Sequence, residues 1–151
     1  ADATTNDVEK LLRPIGLARQ RAPRLHALAI IMSERKGRFA KSRGEIESLP
    51  GVGQYIANAV LTFGHGFPQP LLDVNMARVL ERYFGARQLT DIRYDPYLQS
   101  LARSVVRYRE PASVSWAILD LAALICKPGK PLCVKCPVAK GCRFYREIQR
   151  R

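Results

Sequence analysis

Four cysteines fall within 17 residues, as Cys126-x6-Cys133-x2-Cys136-x5-Cys142. Thiols at that density need a shared ligand or crosslinks, and three chemistries compete. They are two disulfides, a tetrahedral zinc on four thiolates, or an iron–sulfur cluster that gives one thiolate to each iron of a cube. The start of the chain, with Asp2 and Asp7, is unlike a signal peptide. A basic chain without such a signal belongs in a reducing compartment, where disulfides are rare. Zinc ribbons pair two short knuckles, whereas here one knuckle, Cys133-x2-Cys136, is flanked by six and five residues. A 4Fe–4S cluster on Cys126, Cys133, Cys136 and Cys142 is the leading expectation, and zinc the alternative. Lys127 and Lys130 stand in the first loop, where a rigid cluster would hold them towards phosphate. The cluster is then structure and not catalyst.

A second pattern is Leu49-Pro50-Gly51-Val52-Gly53, followed by Gln54 at the start of a helix. Two glycines around one apolar residue let the chain turn tightly and leave backbone N–H groups exposed where the helix dipole favours an anion. By itself this is either a plain helix–helix turn or a phosphate cradle without a charged side chain. Its resemblance to the hairpin of the helix-hairpin-helix DNA-binding motif implies the cradle, which reads a nucleic-acid backbone rather than its bases. Twenty residues on, Asp73 precedes the next apolar repeat and is a good N-cap. A carboxylate held there, facing a nucleotide flipped from its stack, could stabilise positive charge at C1′ as a glycosidic bond breaks. Cap and catalyst are compatible roles.

The elements that must position these groups read as helices almost throughout. Short helices are expected at Asp7 to Leu12 and between the Ser42/Glu45 capping box and Pro50, with a longer one from Ala18 to Glu34 carrying Pro23. Ile56, Ala59, Val60 and Phe63 recur at three and four; so do Met76, Val79, Leu80 and Tyr83, with Gly85 as the stop. Leu98 to Val105 marks another helix, and Pro111 opens one that reaches Ile125. No alternating strand pattern stands out, so the expected class is all-α. With 151 residues and 47% apolar content the chain is about one domain with a real core. Twenty-five Lys and Arg against 13 Asp and Glu give a formal charge of +12, a surface that attracts polyanions. The excess is concentrated: from Cys126 to Arg151 there are eight basic residues and one acidic, Glu147. No apolar run suits a membrane span. A protein of a reducing cytoplasm or nucleoid is expected. Arg78 and Arg82, one turn apart, could meet phosphates or form a solvated face. Trp116 is expected to pack, and Asp120 to act as a cap-like polar partner or to contact the helix that Asp73 opens.

Taken together, Leu49 to Gly53, Asp73 and the 6-2-5 cysteine spacing resemble the helix-hairpin-helix glycosylases of base-excision repair, endonuclease III included. The resemblance covers the chain from Gly16 to Cys142. It implies catalysis by Asp73, a cluster on the four cysteines, and DNA contacts from Leu49, Gly51, Val52, Gly53, Gln54, Arg78, Lys127 and Lys130. Members that also cut the strand carry a Lys where this chain has Tyr55, and a phenol forms no imine. The implied enzyme therefore releases a base and leaves an abasic site, with Tyr55 in the active site. Tyr55, Asp73-Val74-Asn75 and Arg82-Tyr83-Phe84-Gly85 are most similar to the glycosylases that remove thymine or uracil opposite guanine. The alternative is an adenine-excising mismatch glycosylase, in which Gly usually follows the Asp in place of Val74. A non-catalytic DNA-binding module is the alternative of another class. The implied lobes are 1–110, a partial six-helix barrel with the hairpin motif at about 43–63, and 111–151, a helix and the cluster loop. The helices that normally precede Asp7 are missing from the pattern, so this chain alone is expected to turn over poorly. The expected partner is double-stranded DNA with a mismatched base, and the complete protein is expected to be a monomer.

Overall fold

A computed structural model describes residues 2–107 and 110–150, and every regular element among them is helical. The chain divides into two compact units, Ala1–Ala57 and Asn58–Arg151. The contact boundary falls inside a helix, and residues on both sides of position 110 share the second unit.

In the first unit α1 (Thr5–Leu12) packs on α2 (Ala18–Glu34). Its start lies earlier than the apolar pattern suggests because Thr4 and Asp7 cap each other: the Asp7 N–H donates to Thr4 Oγ1 at 3.2 Å and the Thr4 N–H to Asp7 Oδ2 at 3.3 Å. Pro23 sits within α2, in its second turn, and the helix runs on to Glu34. Ser42 caps the short α3 (Arg43–Glu47), its Oγ accepting from the Glu45 N–H at 3.3 Å. α4 (Gln54–Ala59) opens in this unit and continues as a π-turn, Val60–Gly64.

In the second unit α5 (Val74–Phe84) carries an apolar stripe of Met76, Ala77 and Leu80. With Leu72, these side chains meet Leu98, Ala102 and Val106 of α6 (Pro96–Val106). Both α5 and α6 pack on α7 (Pro111–Leu124). Asp95 is fully buried at the head of α6. Its Oδ1 accepts from Leu98 N–H at 2.7 Å, and its Oδ2 accepts from Gln88 and Leu89 N–H, each at 2.6 Å. Burial pushes its carboxyl up, but these backbone donors outweigh it and hold the pKa below its ordinary value. One side chain thus caps α6 and ties down the loop that leaves α5. Beyond α7, two short 3-10 turns, Cys133–Lys135 and Ala139–Gly141, lead into α8 (Arg143–Gln149). Among the described residues no helix is long and apolar enough to cross a membrane.

Candidate functional site

The hairpin is a tight turn whose geometry its residue types dictate. The Val52 N–H donates to the Leu49 carbonyl at 3.1 Å, and between them stand Pro50 and Gly51, the latter at φ +76°. Proline second and a positive-φ glycine third is the sequence of a type II turn. Space at Gly51 is tight as well: a Cβ there would lie 3.2 Å from Arg24 Cβ on α2. Gly53 differs. A Cβ at Gly53 would meet nothing within 4 Å, so its bareness leaves room for something outside the chain to approach the backbone. The Gly53 carbonyl accepts from Ala57 N–H at 2.9 Å and starts α4. Leu49 is 3% exposed, so only its backbone can reach a ligand. Tyr55 stands 42% exposed on the first turn of α4.

Asp73 caps α5, as its position in sequence suggests. Oδ1 accepts from the N–H groups of Asn75 at 3.0 Å and Met76 at 2.8 Å, while Oδ2 accepts from Asn75 Nδ2 at 2.8 Å. Oδ1 is therefore occupied by the helix, whereas Oδ2, with one bond, keeps a lone pair for an incoming group. The loop that delivers Asp73 is fastened by two buried polar side chains that sequence reasoning does not single out. Asn58 Nδ2 donates to Pro70 O at 2.6 Å, and Thr62 Oγ1 accepts from Gln69 N–H at 3.0 Å. Their signal in the sequence is faint: two polar residues interrupting an apolar helical repeat.

From Asn75 the hydrogen bonding runs on to the cysteine loop. Arg78 donates from Nη1 to Asn75 Oδ1 at 3.1 Å, from Nε to the Cys126 carbonyl at 2.8 Å and from Nη2 to the Ala122 carbonyl at 3.1 Å. Arg82 donates from Nη1 to Lys127 O at 2.7 Å and from Nη2 to Pro128 O at 2.8 Å. Neither arginine forms a solvated face. Arg78, expected at a phosphate, has its guanidinium turned onto the end of α7 and the start of the cysteine loop. Lys127 and Lys130 are exposed.

The four cysteines converge. Cys126, Cys133, Cys136 and Cys142, with Arg82, Ile125, Pro131, Ala139, Phe144 and Tyr145, surround a small cavity of about 30 Å3. All four are free thiols. Cys126 is set by its N–H donating to Leu121 O at 2.7 Å, and the knuckle by Cys136 N–H to Cys133 O at 3.1 Å. A Cβ at Gly141 would collide with the hydroxyl end of Tyr83 on α5, which would have to shift to admit it. Burial, then the neighbouring thiolates of Cys142, Cys126 and Cys136, push the Cys133 thiol up, with Arg82 opposing. Such mutual repulsion is what a bound cationic centre relieves. No three His, Cys, Asp or Glu side chains among the described residues are placed to hold a single metal ion. The donor set, four soft sulfurs around one shared space, is the kind that zinc and iron–sulfur centres use.

Trp116, expected to pack, is 60% exposed; its ring meets Phe63 edge-on at 5.6 Å, and the two line an open groove with Asp120.

Residues 1–103 match the HhH-GPD superfamily base excision DNA repair protein family. The chain is 41% identical to a thymine-DNA glycosylase of Aeropyrum pernix, over 96% of this chain and 67% of the relative. It is 36% identical to a thymine/uracil-DNA glycosylase of Pyrobaculum aerophilum, over 99% of this chain and 67% of the relative. It is similar in structure to a thermostable thymine-DNA glycosylase, with a TM-score of 0.85 and 33% identity over 96% of this chain and 67% of that one. The chain thus spans about two thirds of the length of these relatives.

Proposed function

The chain belongs to the HhH-GPD superfamily of base excision DNA repair proteins, and from that premise we propose that it is a mismatch-specific DNA glycosylase. It hydrolyses the N-glycosidic bond of thymine or uracil opposite guanine in duplex DNA. The observation that carries this reading is the similarity to thymine- and thymine/uracil-DNA glycosylases, at 41% and 36% identity over nearly the whole chain.

In this reading the backbone of Leu49, Gly51, Val52, Gly53 and Gln54 grips a phosphate, and Lys127 and Lys130 grip the strand through another. Asp73 Oδ2 faces the extruded sugar. As the C1′–N bond breaks, the base leaves with the bonding electrons and positive charge develops at C1′; the carboxylate stabilises it, and water adds to C1′, its proton ending on the departed base anion. Asp73 is suited to this because its other oxygen is pinned by two N–H groups, so the carboxylate does not reorganise when charge appears. Tyr55 offers no amine, so no imine with the sugar forms and the product is an intact strand with an abasic site. Cys126, Cys133, Cys136 and Cys142 would hold a 4Fe–4S cluster, which supplies a rigid crosslink for the lysine-bearing loop.

The test is single-turnover excision on duplexes carrying G·T, G·U and A·8-oxoguanine pairs, with Asp73→Asn alongside. Base release from G·T and G·U is expected, falling by about 100-fold or more in Asp73→Asn while duplex binding persists. Release of adenine alone would replace the substrate assignment. Duplex binding with no release from any pair would leave a binding module.

A further inference from the structure

Arg82 lies on α5, and its side chain is surrounded by the cysteine loop and α8. Besides its two carbonyl bonds to Lys127 and Pro128, Nη1 lies 3.4 Å from Cys126 Sγ. The guanidinium carbon stands 4.8 Å from the centre of the Phe144 ring on α8. At its other end, the Arg82 backbone carbonyl oxygen lies 3.4 Å from Cys142 Sγ. A single residue thus meets the first and fourth cysteines, the backbone between the first and second, and the helix after the fourth. It also lines the cavity the thiols share.

Two physical effects arise from this placement. The planar fork of an arginine fixes two carbonyls at once, which a lysine, as a point charge on a flexible stem, does not. A positive charge and an N–H against a ligand sulfur stabilise the more negative, reduced state of a metal centre, and hydrogen bonds to sulfur together with net charge set the potential of iron–sulfur sites. We infer that Arg82 is the positioning residue of the metal centre: it fastens the Cys126–Cys133 loop to α5, and its charge at Cys126 Sγ raises the reduction potential of a cluster held there. The inference rests on the cluster reading above. It separates two roles, retention through the fork and potential through the charge.

The experiment compares wild type, Arg82→Leu and Arg82→Lys after anaerobic purification. Iron and sulfide per chain, the rate of iron release to a ferrous chelator, and the midpoint potential are measured for each. Wild-type protein holding zinc, with no iron or sulfide, would overturn the cluster reading itself and this inference with it. With iron present, Arg82→Leu is expected to release it about 10-fold or more faster than wild type, the size seen when outer partners of metal ligands are lost, and to show a more negative potential. Arg82→Lys is expected to bring the potential back towards wild type while iron release stays fast. A wild-type release rate and potential in Arg82→Leu would overturn the inference. Should that variant fail to fold, wild-type release in Arg82→Lys would overturn it equally.

Discussion

The glycine hairpin and the cysteine loop, both proposed above to meet the DNA strand, are built in opposite ways. The hairpin is closed by its own neighbours, through one N–H to C=O bond from Val52 to Leu49 and one glycine at positive φ. The loop from Cys126 to Cys142 has no long helix of its own. It is held from outside, by Arg78 and Arg82 reaching carbonyls 44 to 48 residues away in sequence and by the crosslink its four thiols can take. A locally closed turn tolerates the loss of distant partners. A loop held by long-range side chains, and by the cluster proposed for its thiols, is expected not to.

The most severe way to test that contrast is to remove a ligand. Cys133→Ser leaves three thiolates, so iron content is expected to fall and the melting temperature to drop by roughly 10 °C, the scale of losing a structural metal. Amide exchange should quicken across residues 126–149 and stay slow around Val52. Quickening at both places would erase the distinction between the two constructions.

Acid offers a second separation, through Asp95 in the unit that carries the loop. Its pKa in the folded protein lies below the ordinary 3.8, so the stabilisation it provides is present above that value and fades as pH falls through the folded one. Asp95→Asn puts an amide nitrogen against one set of N–H donors. Its melting temperature is expected to lie about 5 °C or more below wild type near neutral pH, the effect of losing a buried cap and its bonds. Below pH 4 the gap should narrow, since wild type then loses what the variant already lacks. A gap that widens in acid would mean that Asp95 is not held ionised by the backbone.

On the hairpin side the corresponding change is Gly51→Ala, which places a Cβ at φ +76° and 3.2 Å from Arg24. An L-residue in that region costs about 1–2 kcal/mol, expected as a melting-temperature loss of about 3 °C together with weaker duplex binding and unchanged iron content. Reduced iron in this variant would show that the two regions are not independent.

The same contrast decides how much was legible in the sequence. The hairpin, the Asp73 cap and the cysteine spacing can be read because the partners that define them lie within a few residues. The roles of Arg78 and Arg82 cannot, since nothing in a helix repeat says that a guanidinium will meet a carbonyl 44 to 48 positions on. Asn58 and Thr62 look like ordinary interruptions of an amphipathic helix until the loop they hold is folded back. Helix α8 and the two 3-10 turns are too short to show a period. Trp116 and Phe63 pair as their apolar character suggests, yet both remain exposed, because an apolar residue type sets a tendency to burial and not the neighbours that achieve it.

The smallest expected effect is the sharpest on electrostatics. Lys127 and Lys130 are exposed in the loop, and a lysine meeting a phosphate releases about one counterion when DNA binds. Lys130→Ala should therefore lower duplex affinity about equally for every sequence, and make the slope of log K against log salt shallower by about 0.9. Melting temperature and iron content should not change, because no fold contact is removed. The same substitution in protein stripped of its metal gives the decisive comparison. If the crosslinked loop is what holds the lysine against the strand, the slope difference between Lys130→Ala and its parent should shrink once the metal is gone. A difference of the same size in both would mean that Lys130 acts as free surface charge, and that the loop's long-range anchoring does not serve DNA binding.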